Sequence, residues 1–294
     1  MTSKKVKFCH RATDLSAPVR LNVPLGTQWQ NNSCAYDAII TILFNMCPES
    51  STISFEDTHC IMFNALIQSF HTHESASQVE SGSPTFSLEE IRDCFRRRLA
   101  RLSQEFTFGS YTSIQSILKY LFRAEELVTT SEIFCPEGHC EIGRNSQSST
   151  SNYQIIILGV AQIALQACMD NFSLELASKC MTCDTLLMKH TSFVQSPPLL
   201  VFDLSNGLVV SIEPILWILC DGNRVQYVLR GVIYFDNHHF TERIITSTGM
   251  VWYHDGIFTG RSLLVVYESQ GLTAITTQNA VMAFYIRSPA NVET

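Results

Sequence analysis

The sequence predicts an α+β fold, with helices in the first part of the chain and strands in the second. Up to about residue 130, apolar residues recur at the three- and four-residue spacing of amphipathic helices. From Ile133 onward, short extended segments rich in Val, Ile, Tyr and Phe alternate with turns. Segregation of helices and strands along one chain is typical of α+β proteins.

Four helices are predicted in the first part. The first begins at Cys34, after a polar loop, and runs through an apolar segment to Met46. The third begins with a capping box at Ser87-Leu88-Glu89-Glu90, and its Arg96-Arg97-Arg98 run is interpreted mostly as a solvated face. The second and fourth are placed at 57–71 and 112–123.

Seven later segments are predicted as strands because β-branched and aromatic residues dominate them. They lie at residues 154–159, 199–203, 208–212, 225–235, 250–253, 263–267 and 281–286.

Composition excludes several classes of protein. The chain has 294 residues, 46% of them hydrophobic and 16% charged, which is typical of a globular protein rather than a disordered one. A net charge of −7 argues against a nucleic-acid-binding surface. We expect an intracellular protein with reduced thiols, since the first residues are polar and no apolar run is long enough to cross a bilayer.

Cys34 is the candidate nucleophile. It follows the amide-rich segment 28–33 and opens an apolar helix, where the partial positive charge of the helix N-terminus favours a thiolate. A histidine and a carboxylate follow about 200 residues later. This chain order, cysteine first and histidine late, is that of papain-like thiol proteases.

His239 is the preferred candidate base and Asp255 the carboxylate that orients it. The adjacent His238 is the alternative base, because neighbouring residues on a strand point to opposite faces and only one can meet Cys34. Asp255 follows the aromatic residues Trp252 and Tyr253. Three other aspartates, in contexts typical of turns, are the rival carboxylates: Asp203, Asp221 and Asp236.

Amide side chains upstream of the nucleophile are the natural donors to an oxyanion. Gln28 lies six residues before Cys34 and is ranked first, and Gln30 lies four residues before it and is ranked second. The main-chain N–H of Cys34 is the further donor.

Two cysteine pairs predict a structural zinc site. Cys135 and Cys140 form the first pair, and Cys180 and Cys183 form the second, about 40 residues later. Pairs spaced in this way present four thiolates tetrahedrally, which leaves no open coordination position and indicates a structural role. His139 is an alternative ligand to Cys140.

These segments resemble the ubiquitin-specific protease family and its SUMO-isopeptidase relatives. Residues 32–38, Asn-Ser-Cys-Ala-Tyr-Asp-Ala, are similar to the family's cysteine box, and residues 227–235 followed by His239-Phe240 to its histidine box. Residues 252–255 resemble the strand that ends in the third catalytic residue, and Ser196-Pro197-Pro198 with the strand after it is similar to the segment following the fingers. The paired cysteines lie where the family's zinc-bearing fingers occur.

The resemblance covers about residues 25–270 and implies a papain-like thumb and palm with zinc-ribbon fingers. It implies a lead-in over residues 1–24 and a peptidase domain over 25–294, with a thumb at about 25–130, fingers at 131–195 and a palm at 196–290. Trp29 replaces the family's usual oxyanion asparagine, and Asp236-Asn237-His238 replaces its Gly-Gly-His lead-in. The Trp and Gln/Asn residues before Cys34 look closer to the SUMO-directed branch than to the mainstream ubiquitin hydrolases.

The implied function is hydrolysis of ubiquitin or SUMO conjugates through a thioester at Cys34. The implied partners are the modifier and its conjugates, with neither nucleic acid nor membrane. One alternative is a catalytically inactive relative that only binds the modifier. A zinc-dependent nucleic-acid module is disfavoured by the acidic residues around the cysteine pairs, and a general papain-like protease by the intracellular, zinc-bearing character of the chain.

Overall fold

The computed structural model describes residues 23–47, 60–77, 87–123, 127–138, 148–150, 154–156, 163–205, 210–266, 272, 274–275 and 278–288. Within them the fold is α+β, as predicted: four helices come before the first strand, and fourteen of the fifteen strands follow residue 147. The predicted lead-in lies almost wholly outside the described residues. No helix in the described part of the chain is long and apolar enough to cross a membrane.

Five helices are described. They are α1 (Cys34–Met46), α2 (Ile61–Ser77), α3 (Leu88–Leu102), α4 (Ile114–Leu121) and α5 (Leu165–Asp170). The bounds of α1 agree with the prediction, and α3 begins with the predicted capping box, in which Ser87 and Glu90 bond each other's main-chain N–H. The short helix α5 was not predicted.

The strands are β1 (Thr129–Phe134), β2 (Ser148–Thr150), β3 (Gln154–Ile156), β4 (Ile163–Ala164), β5 (Ser173–Lys179), β6 (Leu186–Phe193), β7 (Leu199–Asp203), β8 (Val210–Ser211), β9 (Ile215–Cys220), β10 (Asn223–Asp236), β11 (His239–Ile245), β12 (Val251–His254), β13 (Leu264–Val266), β14 (Ala274–Ile275) and β15 (Gln278–Arg287).

Thirteen of these strands form one sheet. Its main path runs β13-β12-β11-β10-β9-β6-β1-β2, and β15 joins it by pairing with β10, β7 and β14. The strands β5, β6 and β1 lie towards one end, which carries Cys135, Cys180 and Cys183. The strands β10, β11 and β12 form the other, which carries the histidine and the carboxylate.

The helix α1 is the centre of the core. Twelve of its thirteen residues are buried, including Cys34 at its start, and it packs against β11 and β10. Gly231 on β10 permits this approach, because a Cβ there would lie 2.6 Å from the Ile42 side chain. The packing sets the start of α1 beside the β11–β12 end of the sheet.

Candidate active site

Cys34 is the first residue of α1, and its side chain is almost wholly buried. The preceding Ser33 does not cap the helix with its side chain. Its hydroxyl instead accepts from the Gln30 N–H (2.9 Å) and donates to Asp37 Oδ2 (2.6 Å). The first-turn N–H groups of the helix therefore donate no hydrogen bond to the Ser33 side chain.

His239 begins β11 directly after a two-residue hairpin turn. Asn237 and His238 form that turn, both with positive φ (48° and 61°), as a type I′ turn requires. The expectation that both histidines lie on a strand is therefore wrong for His238, which lines a cleft of about 450 Å³ with Tyr111, Phe235 and Phe240. His239 lies on the sheet and faces α1.

The His239 ring connects the nucleophile to the carboxylate. Its Nε2 lies 2.9 Å from Asp255 Oδ1, and the Cys34 thiol is near enough to the same ring to raise its pKa. The structure therefore brings together the three predicted catalytic residues, although Cys34 lies more than 200 positions before the other two. The rival carboxylate Asp203 instead caps its own turn, bonding the N–H of Ser205.

Asp255 is held by its own loop. Besides His239, its Oδ1 accepts from the main-chain N–H groups of Ile257 (2.9 Å) and Phe258 (3.2 Å), and Tyr253 donates its hydroxyl to Oδ2 (3.4 Å). Bonds of this kind favour the ionised carboxylate. Burial alone would raise the pKa of Asp255, but the bonds to His239 and to these two N–H groups lower it.

The same contacts favour a charged imidazole. Burial lowers the pKa of His239, but the contacts with Asp255 and Cys34 outweigh it and raise the pKa to about 9. An imidazolium next to a thiol stabilises the thiolate, which is the reactive form of cysteine. The arrangement therefore supports nucleophilic attack by sulfur, with a proton held ready on the neighbouring ring.

The two candidate oxyanion donors are held by their main chains. Gln28 donates its N–H to Glu89 Oε1 (3.0 Å) and accepts from Arg92 at its carbonyl (2.6 Å). Gln30 accepts at its carbonyl from Arg96 (3.4 Å). Both side chains are exposed, and neither amide group has a hydrogen-bond partner among the described residues, so an oxyanion role for Gln28 or Gln30 stays a prediction.

The buried charges next to the first turn of α1 were not predicted from the sequence. Arg92 on α3 donates to Asp37 Oδ1 (2.9 Å) with both side chains almost wholly buried, and Arg96 is 2% exposed rather than solvated as expected. A signal was present in the sequence. Asp37 stands alone in an apolar helix, and Arg92 and Arg96 lie beside the apolar stripe of α3, where a charge needs a partner.

A second histidine–carboxylate pair lies behind the first. His254 is fully buried, and its two ring nitrogens lie against acceptors, Nδ1 at Glu242 Oε1 and Nε2 at the Gly260 carbonyl (2.7 Å). Because both nitrogens donate, this ring carries both protons. Burial lowers the pKa of His254, but Glu242 and the Gly260 carbonyl raise it to about 9.

Three of the four predicted metal ligands converge at the far end of the sheet. The ligand atoms of Cys135, Cys180 and Cys183 all lie within 4.8 Å of one another, with 3.4 Å between the Sγ atoms of Cys135 and Cys183. Thiolates around a tetrahedral zinc stand about 3.8 Å apart. The donor set therefore fits zinc, while Cys140 and His139 lie outside the described residues.

No protein-family model matches this chain, and no curated protein matches it in sequence. Solved structures do match it. A chain of the SAGA Ubp8/Sgf11/Sus1/Sgf73 DUB module bound to ubiquitin aldehyde aligns over 94% of this chain and 72% of its own, with a TM-score of 0.59 at 12% identity.

Two further structures of that module agree. The module with a point variant of Ubp8, bound to monoubiquitin, has a TM-score of 0.57 at 12% identity, over 95% of this chain and 72% of its own. The Ubp8-Sgf11-Sgf73-Sus1 module has a TM-score of 0.53 at 15% identity, over 91% and 68%. These likenesses define the class of fold: this chain has a fold like that of the ubiquitin-specific protease domain of Ubp8.

Proposed function

We propose that this chain is a cysteine-type isopeptidase that releases ubiquitin, or a ubiquitin-like modifier, from protein conjugates. The observation that carries the proposal is the placement of Cys34 beside the His239 ring, whose Nε2 is hydrogen-bonded to Asp255. It occurs in a fold whose solved neighbours include a DUB module bound to ubiquitin aldehyde.

The chemistry follows from the roles of the three residues. The Cys34 thiolate attacks the carbonyl carbon of the modifier's last residue, and the negative charge moves to the carbonyl oxygen. His239 gives its proton to the departing amine, which leaves a thioester on Cys34. The neutral ring then takes a proton from water, and the hydroxide displaces the thiolate to release the carboxylate.

Ubiquitin is favoured as the modifier over SUMO. The solved neighbours are described with ubiquitin aldehyde and with monoubiquitin, whereas the SUMO interpretation depends only on the Trp and Gln/Asn residues before Cys34.

The cysteine cluster has a structural part in this proposal. Cys135, Cys180 and Cys183, with Cys140 as the fourth ligand, would hold a zinc ion that links the β1 turn to the β5–β6 turn. When bound, the ion supplies covalent cross-linking of two hairpin ends that have little core of their own. The metal takes no part in the hydrolysis.

The test is turnover of C-terminal fluorogenic amides of ubiquitin and SUMO. We expect release from the ubiquitin amide by the intact chain and a loss greater than about 10⁴-fold in Cys34→Ala. Cys94→Ala is the matched control, since Cys94 is exposed on α3, and it should turn over like the parent. Retained turnover in Cys34→Ala would remove Cys34 from the mechanism. Tight binding without turnover would indicate an inactive binding module, and preference for the SUMO amide would reverse the choice of modifier.

A further inference from the structure

One stripe of α3 holds the loop that precedes the nucleophile. Glu89, Arg92 and Arg96 lie at positions i, i+3 and i+7 of the helix and therefore share a face. Each contacts the main chain of residues 28–31: Glu89 at the Gln28 N–H, Arg92 at the Gln28 carbonyl, and Arg96 further along the loop.

Arg96 is the member of this stripe whose loop contacts lie nearest to Cys34 in the sequence. Its two terminal nitrogens donate to consecutive carbonyl oxygens, at 3.4 Å to Gln30 and 2.7 Å to Asn31. Its guanidinium carbon lies 5.1 Å from the centre of the Tyr36 ring and 4.4 Å from that of the Phe108 ring. A planar guanidinium that lies over aromatic rings and bonds two carbonyl oxygens has its orientation fixed.

The burial of Arg96 shows that this contact is not an incidental surface one. The side chain is 2% exposed, and its nearest carboxylate is Asp93 at 3.6 Å. Burying a cation costs free energy unless other groups replace the water that it loses. Here main-chain carbonyls of an exposed loop and two aromatic rings supply much of that replacement, so the loop and the arginine fix one another.

The bonds to Arg96 set the direction of the next two N–H groups. No peptide bond among the described residues is cis, so in each peptide the N–H points opposite to the carbonyl. With the Gln30 and Asn31 carbonyls turned to Arg96, the N–H groups of Asn31 and Asn32 point away from it. Both residues have positive φ (52° and 56°), and neither N–H has a partner among the described residues.

We propose that Arg96 is a positioning residue that holds the loop before Cys34 so that the main-chain N–H groups of Asn31 and Asn32 stabilise the oxyanion formed at Cys34. This inference depends on the proposed hydrolase function. It also accounts for Trp29 at the position of the family's usual asparagine: main-chain donors replace a side-chain donor. A guanidinium bonded to a carbonyl polarises that peptide, which strengthens the N–H at its other end.

The first test compares Arg96→Gln with Arg98→Gln in the full chain. Arg98 is exposed on the same helix and is the matched control. We expect kcat for the ubiquitin amide to fall about 10²-fold in Arg96→Gln, the effect of losing one oxyanion donor, with KM nearly unchanged. Arg98→Gln should match the parent. Arg96→Lys keeps the charge but cannot bond two carbonyl oxygens at once, so its kcat should lie between those of Arg96→Gln and Arg98→Gln.

A second readout separates positioning from general damage. The pH profile of Cys34 alkylation by iodoacetamide should be the same in Arg96→Gln and the parent, because the contacts among Cys34, His239 and Asp255 are untouched. Equal loss in Arg96→Gln and Arg98→Gln, or a shifted alkylation profile, would overturn the proposal. So would a loss of the folded state that Arg96→Lys fails to restore.

A third readout needs no modifier, so it distinguishes failure of the Arg96 proposal from failure of the proposed hydrolase function. The N–H groups of Gln28, Trp29 and Gln30 are hydrogen-bonded to Glu89, Gly256 and Ser33. If Arg96 holds this loop, their hydrogen exchange becomes faster in Arg96→Gln and stays unchanged in Arg98→Gln. An unchanged rate in Arg96→Gln contradicts the proposal even if the parent turns over no substrate.

Discussion

The two ends of the large sheet differ in what holds their functional side chains in place. At the β10–β12 end, Cys34, His239 and Asp255 are set on a buried helix and three paired strands, above the buried groups Asp37 and Arg92. At the β1–β6 end, three thiols meet on turns of half-exposed strands. The first end is ordered by its own packing, whereas the second depends on what its thiols bind.

Charged pairs show the same difference. Arg92 and Asp37 pair at 2.9 Å with almost no exposure, while Lys179 and Asp184, which flank the Cys180–Cys183 turn, pair at 2.8 Å with side chains 54% and 81% exposed. Pairs at nearly the same distance therefore differ in how much they stabilise the fold, because water screens the second pair and not the first. Four predictions test this contrast.

The largest effect is expected from Asp255→Asn. The amide removes the charge that raises the pKa of His239 and orients its ring, so kcat should fall by roughly 10²–10⁴-fold. The Tm should change little, so the loss of kcat would not be a consequence of unfolding. Steady-state hydrolysis of the ubiquitin amide measures the effect, with Asp221→Asn, in a distant turn, as the control. Equal rates for Asp255→Asn and the parent would show that this carboxylate does not act through His239.

The next largest effect is on stability. Arg92→Met leaves Asp37 buried without its partner, and removal of one member of such a pair costs about 3–5 kcal/mol. Lys179→Met removes the exposed pair and should cost about 0–1 kcal/mol. Urea unfolding of the two variants measures the free energy of unfolding. Similar costs for the two would mean that the ends of the sheet are not distinguished by burial.

Loss of a thiol at the other end should have a local effect. Cys180→Ser, or a chelator on the parent, should increase hydrogen exchange roughly tenfold in β1 and β6, about 1.4 kcal/mol of local stability. Alkylation of Cys34 should be unaffected. If stability and exchange stay unchanged when the metal is removed, the structural zinc is excluded.

The smallest expected effect is a fall in turnover at the alkaline end of the pH profile. The folded pKa of His239 is about 9, above its ordinary value of 6.5, so its stabilising contribution is complete below 6.5 and is lost as pH rises through 9. His254 behaves in the same way. We therefore expect turnover by the parent to fall above about pH 9, because His239 then lacks the proton for the leaving amine. In Asp255→Asn this alkaline fall in turnover should move to lower pH. If it does not move, a group other than His239 causes it.

Some elements could be predicted because one physical signal dominates them. The helix α1 has a polar loop before it and an unbroken apolar run within it, so both its ends were predictable. The order of cysteine, histidine and carboxylate was similarly visible. The extent of β11 beyond its first residues was missed because Thr241-Glu242-Arg243 looks polar, yet Glu242 is buried against His254 and Arg243 over the Tyr234 ring.

Other features depend on partners that are distant in sequence. Strands β5 and β6 have mixed, half-exposed patterns with no clear alternation, so pairing with β1 and with each other defines them. The choice of His239 over His238 follows from the hairpin turn rather than from alternation along a strand. The role of Arg96 was hidden because its acceptors are carbonyls about 65 residues away, which carry no side-chain signal.

The most direct measurement is covalent capture of the chain by ubiquitin with a C-terminal electrophile, followed by peptide mapping of the adduct. The account predicts a single adduct on Cys34 that is absent in Cys34→Ala and slower in Asp255→Asn. The exposed Cys94 should stay unmodified, since reactivity comes from the His239 contact and not from access. An adduct on Cys94, or none on the folded chain, would contradict the assignment of Cys34 as the nucleophile of a ubiquitin-directed hydrolase.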